Sequence, residues 1–83
     1  MYIKILIYYI LGYVNVLIEG FNIEKFINSC ISKKILLWNS KRTKSTILYT
    51  NIGVKDYKQA VKIAKQCKCK IKVIERKRIT FYN

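Results

Sequence analysis

Residues 12–38, GYVNVLIEGFNIEKFINSCISKKILLW, decide the fold. Three β-branched residues first alternate with other residues, which is the period of a strand with one apolar face: Val14, Val16 and Ile18. Glu19-Gly20 ends this pattern, and Asn22 is a residue type suited to a helix N-cap. Apolar residues then recur with helical spacing at Ile23, Phe26, Ile27, Cys30 and Ile31. The stretch predicts a strand, a turn and a helix whose apolar sides bury each other.

The pattern after residue 33 predicts two strands joined by a hairpin, then a helix and a last strand. The strands are predicted at residues 14–19, 35–41, 45–50 and 69–75, and the helices at 23–33 and 54–66. The basic residues 42–44 are predicted to form the hairpin tip, residues 51–53 a turn, and residues 76–83 a tail without a clear period. In the second helix the apolar stripe is Val54, Tyr57, Ala60, Val61 and Ala64, with Ile63 off its centre.

The order β-α-β-β-α-β predicts an α+β, ferredoxin-like sandwich: a four-stranded antiparallel sheet with two helices on one face. Right-handed crossovers place the first and third strands in the centre, and lysines on the second and fourth suit sheet edges. The other face is predicted to carry Asn15, Leu17, Glu19, Leu48, Thr50, Lys70 and Lys72. Tyr49 is predicted to point into the core instead, and so is Trp38, for which the alternative is an exposed recognition aromatic. The chain divides into a hydrophobic lead-in segment (1–12), the domain (13–76) and a tail (77–83).

The amino-terminal stretch MYIKILIYYIL (residues 1–11) is hydrophobic but shorter than a membrane span. No small-residue cleavage site follows it, which argues against a signal peptide. We expect a short helix that docks on the domain or on a bilayer surface, with an additional strand as the alternative.

The composition is strongly basic, with 17 Lys and Arg against 4 Asp and Glu and a net charge of +13 over 83 residues. Such a charge attracts a polyanion, either nucleic acid or an anionic lipid surface. The alternative is that the lysines, which are spread along the chain, only solvate its surface. The 3 cysteines are odd in number and without paired spacing, which indicates reduced thiols.

Catalytic and metal chemistry find little support in the residues. The chain has 4 carboxylates, no His and no Gly-rich phosphate loop, so we expect neither an enzyme nor a cofactor. Cys30 lies on the apolar stripe and is predicted to be a buried small hydrophobe rather than a nucleophile. Cys67-x-Cys69 without any His does not supply a four-ligand zinc site, and no metal is expected.

Nearly the whole sequence resembles the amino-terminal part of the YqfD-type sporulation proteins, which are membrane proteins of endospore-forming bacteria. The resemblance rests on Val14, Val16, Ile18, Glu19, Gly20, Glu24, Phe26, Asn28, Cys30, Leu37 and Trp38. A second match is Cys69-Lys70-Ile71-Lys72-Val73, and a looser one covers residues 77–81. There the family usually has a Gly and a Pro before the Phe, where this chain has Arg78 and Thr80.

The resemblance implies a non-catalytic domain on the cytoplasmic side of a membrane protein involved in endospore formation. Family members continue into a transmembrane segment and an extracytoplasmic portion, so the chain matches their amino-terminal region. We expect contact with a protein partner or an anionic membrane surface through Lys41, Arg42, Lys44, Lys70, Lys72, Lys77 and Arg78. The alternative function is nucleic-acid binding on the sheet, although residues 47–50 lack the basic-Gly-aromatic signature of RNA-recognition modules.

Overall fold

The computed structural model describes residues 12–77, which form one antiparallel sheet and two helices. The elements are β1 (Tyr13–Glu19), α1 (Ile23–Ser32), β2 (Leu37–Lys44), β3 (Ile47–Gly53), a 3-10 turn (Val54–Asp56), α2 (Tyr57–Gln66) and β4 (Lys70–Lys77). The strand order is β2-β3-β1-β4. The predicted ferredoxin-like arrangement is confirmed, with β1 and β3 in the centre of the sheet.

The core lies between one face of the sheet and the two helices. On this helix-covered face β1 and β3 pair residue by residue, as Val14↔Ile52, Val16↔Thr50 and Ile18↔Leu48. The helices contribute the buried side chains of Ile23, Phe26, Cys30, Ala60, Ile63 and Ala64. Ile63 is therefore part of the buried stripe of α2, whereas Ile31 of the predicted α1 stripe is 64% exposed. At 3.6 residues per turn, Ile31 has rotated too far from Ile23 and Phe26 to face the sheet.

The start of α1 is held by a side-chain bond that the sequence pattern does not predict. Asn22 precedes the helix, and its carbonyl accepts from the N–H of Phe26 at 3.0 Å. Its amide makes no side-chain cap and instead donates to the carbonyl of Cys67 at 3.2 Å. Asn22 is thus the N-cap residue by position, as predicted, but its side chain makes no capping hydrogen bond. The side chain joins the beginning of α1 to the end of α2.

Gly20 follows directly after β1, and close packing against Cys69 favours a residue without a side chain at this position. A Cβ added there would lie 2.8 Å from Sγ of Cys69, 3.1 Å from its Cα and 3.2 Å from its Cβ. Carbon atoms pack best at about 3.5–4.0 Å, so any side chain at this position forces a displacement. The Glu19-Gly20 turn thus lets the β1–α1 connection lie directly against the start of β4.

Both helices end in the same backbone motif. After α1, the N–H of Ile35 donates to Cys30 at 2.8 Å and that of Lys34 to Ile31 at 2.9 Å. After α2, the N–H of Cys69 donates to Ala64 at 2.8 Å and that of Lys68 to Lys65 at 3.1 Å. This is the Schellman pattern, which requires a left-handed residue and favours Gly there. Here lysines occupy that position, Lys34 with φ 61° and Lys68 with φ 58°.

Several element boundaries differ from those predicted. The hairpin turn is at residues 45–46, so Lys41, Arg42 and Lys44 belong to β2 and not to a tip. Strand β3 continues through the predicted turn to Gly53, because Ile52 is fully buried in the core and Asn51 is bonded to β1. Strand β4 runs two residues past Glu75, and α2 begins only after the 3-10 turn. The predicted amino-terminal helix and the last six residues of the tail lie outside the described residues.

Candidate binding surface

The face of the sheet opposite α1 and α2, called the outer face below, carries polar, aromatic and aliphatic residues of the central strands. In register these are Tyr13↔Gly53, Asn15↔Asn51, Leu17↔Tyr49 and Glu19↔Ile47. The prediction of Leu48 and Thr50 on this face is wrong, because both are buried on the helix-covered face. Tyr49 correspondingly lies half-buried on the outer face and not in the core. A change of parity by one residue moves every side chain of a strand to the other face.

Trp38 also belongs to the outer face, contrary to its predicted place in the core. It pairs with Asn51, while its neighbour Leu37 pairs with Ile52 and packs against the core. The rings of Trp38 and Tyr13 lie 5.3 Å apart between centroids at 57°. Gly53 lies next to Tyr13 on the strand between them, without a side chain to fill the space.

A side-chain amide pair ties the two central strands together on this face. Nδ2 of Asn15 donates to Oδ1 of Asn51 at 2.9 Å, and Asn51 is only 5% exposed. A buried amide that keeps its hydrogen bond avoids a desolvation cost of about 1–3 kcal/mol. The pair therefore fixes the β1–β3 register at the middle of the outer face.

Five of the seven predicted contact residues lie on the outer face, along its two edges. On β2, Lys41 pairs with Tyr49 and Lys44 with Ile47. On β4, the pairs are Lys70↔Glu19, Lys72↔Leu17 and Lys77↔Tyr13. All five lysines are exposed. Because β2 and β4 are three strand spacings apart, the two rows of lysines lie roughly 14 Å from each other.

Of the remaining two predicted contact residues, the structure describes only Arg42, which is not part of this arrangement. Arg42 pairs with Leu48 and so has the opposite parity. Its Nη2 donates to the carbonyl of Ser45 at 2.8 Å, and its Nη1 lies 3.7 Å from a carboxylate oxygen of Glu24. Arg78 lies outside the described residues.

The acidic side chains of the outer face are few and lie beside the lysines. Nζ of Lys77 is 2.9 Å from a carboxylate oxygen of Glu75, and this hydrogen bond raises the pKa of Lys77. Glu19 is exposed opposite Lys70. The described part of the face therefore holds five lysines against two glutamates and keeps an excess of positive charge.

The three cysteines carry free thiols and are buried. Cys30 is buried in the core as predicted, and burial raises the pKa of its thiol to about 12, with smaller contributions from Cys67 and Asp56. Burial also raises the pKa of Cys69. Within residues 12–77 no group of three or more His, Cys, Asp or Glu side chains is placed to hold a metal ion. Among the surfaces of the described residues, the outer face is therefore the best candidate for contact with a partner.

Comparison with protein families matches residues 8–83 to the family described as "Putative stage IV sporulation protein YqfD". The chain belongs to the YqfD family. This membership makes it a sporulation-related protein, and the description names no chemical reaction. No curated protein and no solved structure matches the sequence. In the part of this YqfD chain that the structure describes, neither helix has the length and apolar character needed to cross a bilayer.

Several of the residues that carry the YqfD resemblance have identifiable structural roles. Phe26 and Cys30 fill the core, and Gly20 permits the contact with Cys69. Trp38 lies on the outer face and packs on Tyr13, and Glu24 and Asn28 are exposed on α1. The aromatic part of the surface was missed in the sequence, where parity had assigned Trp38 and Tyr49 to the core. One signal in the sequence was available. Asn15 alternates with buried valines and therefore faces outward, and its cross-strand neighbours must share that face.

Proposed function

We propose that this YqfD chain is a non-catalytic domain that lies with its outer face against an anionic membrane surface. The supporting observation is the placement of five exposed lysines on one face, in two rows that flank the central strands. A cation held near an anionic leaflet contributes about 1 kcal/mol. The tilted Trp38–Tyr13 pair on the same face adds side chains of the type enriched at membrane interfaces.

Vesicle co-sedimentation of the 83-residue chain tests this proposal. The informative variant is Lys41→Gln with Lys44→Gln, which removes the β2 row. The matched control is Lys58→Gln with Lys62→Gln, which removes the same charge from exposed positions of α2. At about 1 kcal/mol per lysine, the β2 variant should bind phosphatidylserine vesicles roughly 30-fold more weakly, and the α2 variant much less so. Equal binding to neutral vesicles, or an equal loss in both variants, would refute the proposal.

A second candidate function is single-stranded nucleic-acid binding, and the position of Tyr49 favours it. Tyr49 lies on central strand β3 and on the outer face, where RNA-recognition modules place the aromatics on which bases stack. A fluorescent oligouridine titrated at about 50 and 200 mM salt tests this reading, with Tyr49→Leu as the variant. Binding that weakens with salt and with loss of the ring, without binding to anionic vesicles, would replace the membrane proposal. Absence of binding at the lower salt concentration would remove the second candidate.

A further inference from the structure

Strand β4 forms an edge of the sheet that is suited to accept another strand. In the order β2-β3-β1-β4 it is last, and within residues 12–77 its only strand partner is β1. The N–H and C=O groups that point away from β1 therefore form a template for backbone pairing. From Lys70 to Val73 the β1–β4 register is regular, and it shifts only beyond that point. The template is thus regular over these four residues.

An apolar groove lies directly beside this regular part of β4. Its volume is about 680 Å³, and its lining includes Val61 and Ala64 of α2 and Ile71 of β4. Val61 and Ile71 are half-buried, so they keep apolar surface that a further side chain can cover. An added strand would send every second side chain into this groove, because residues of a strand alternate between the two faces.

The charged residues around the groove favour an acidic occupant. Lys65, Lys70 and Lys72 contribute to the lining, and Glu19 is the single acidic residue among the lining residues. Lys70 and Lys72 flank Ile71, so the two lysines point to the outer face where Ile71 points towards the helices. A side chain directly opposite each lysine would lie about 4.5–5.5 Å away between Cβ atoms.

From these observations we propose that the β4 edge binds an extended segment of another protein in which acidic and apolar residues alternate. The segment adds to the sheet as a fifth strand by β-augmentation. Its acidic side chains face Lys70 and Lys72, and its apolar side chains enter the groove over Ile71. A second copy that pairs antiparallel about Ile71, over the regular part of β4, is a poor occupant, because Lys70 of one copy would lie opposite Lys72 of the other and like charges across strands repel.

The test uses the full 83-residue chain and a synthetic peptide that alternates Glu and Val over seven residues. A peptide of the same composition with its glutamates in one block is the control for alternation. We expect the alternating peptide to bind and to protect from hydrogen exchange the amides of β4 that point away from β1. Replacement of Lys65, Lys70 and Lys72 by Gln should weaken its binding roughly tenfold. Replacement of Lys41, Lys44 and Lys58 by Gln removes equal charge elsewhere and should weaken it much less.

Four results would overturn the proposal. If the block peptide binds as well as the alternating peptide, the alternation of residues does not determine binding. If both lysine variants lose the same amount of peptide affinity, the attraction is unspecific. Protection of these amides in the free protein that rises with concentration would make a second copy the occupant. The same protection without concentration dependence would show that another part of the chain already fills the edge. Vesicle binding through Lys41 and Lys44 can fail or succeed independently of each of these results.

Discussion

Replacement of Gly20 by Ala should destabilise the domain through a single contact, the approach of Gly20 to Cys69. The new methyl group would meet Sγ of Cys69 at 2.8 Å and its Cα at 3.1 Å, both inside the packing optimum. Overpacking of this kind costs about 1–3 kcal/mol. A Gly-to-Ala change also restricts the unfolded chain, which returns about 0.4–1 kcal/mol. We therefore expect a net loss of about 1–2 kcal/mol and a decrease in Tm of roughly 5–15 °C.

Urea unfolding followed by circular dichroism gives the free energy for each variant of a double-mutant cycle. In a Cys69→Ala background the closest contact is gone, whereas the contacts to Cα and Cβ remain. Gly20→Ala should then cost about 0.5–1 kcal/mol less than in the original chain. Glu19→Ala, at the exposed neighbouring position, serves as the control and should stay within about 0.5 kcal/mol. A neutral Gly20→Ala, or an equal cost in both backgrounds, would refute the steric explanation.

Three further predictions follow from the helix ends and the core. Serine in Asn22→Ser can cap a helix but cannot bond the carbonyl of Cys67. The free energy of unfolding, measured in urea, should therefore fall by about 1 kcal/mol, as much as in Asn22→Ala. Full stability of the Ser variant would show that capping is the role of this residue. Lys68→Gly should stabilise the domain by about 0.5–1 kcal/mol because the residue has φ 58°, and Lys68→Ala, which keeps the Cβ penalty, should not. The raised pKa of Cys30, about 12, means that the unfolded state loses this proton first. The free energy of unfolding should therefore decrease above about pH 9, by up to ~1.4 kcal/mol per pH unit, and less steeply in Cys30→Ala.

The fold could be predicted because local periodicity and connectivity agree in the central elements. Val14, Val16 and Ile18 alternate without interruption, and Ile23, Phe26 and Cys30 follow at helical spacing, so each element has one face to bury. Right-handed crossovers then leave one place for each strand. The boundaries were less accurate where tertiary pairing overrides local preference. Asn51 and Gly53 are turn residues by type, yet they lie in β3 because β1 continues beside them.

The outer face could be predicted only in part, because parity fails along the edge strands. In β2, Trp38, Lys41 and Lys44 lie three residues apart and still share a face, which an uninterrupted alternation does not allow. Two register shifts in the β2–β3 pairing account for this, one before Lys41 and one after Arg42. Asn39, with φ 55°, lies in the first of them and is a residue type that tolerates this conformation. No pattern in the sequence of β2 marks such shifts, since they depend on the partner strand.

A register shift also occurs on the opposite edge strand, β4, and it likewise changes which side chains face outward. Lys72 and Lys77 are five residues apart and would face opposite sides of a regular strand. The shift in the β1–β4 pairing, after Val73, returns Lys77 to the outer face. Bulges at sheet edges are known to redirect side chains. In this domain they turn Lys41 and Lys77 to the face opposite α1 and α2, where Lys44, Lys70 and Lys72 also lie, while the regular central strands keep the core closed. The irregular edges therefore determine which basic residues face outward, Lys41 and Lys77 in place of Arg42 and Arg76, and the regular part of β4 is the stretch that we propose for pairing with a partner strand.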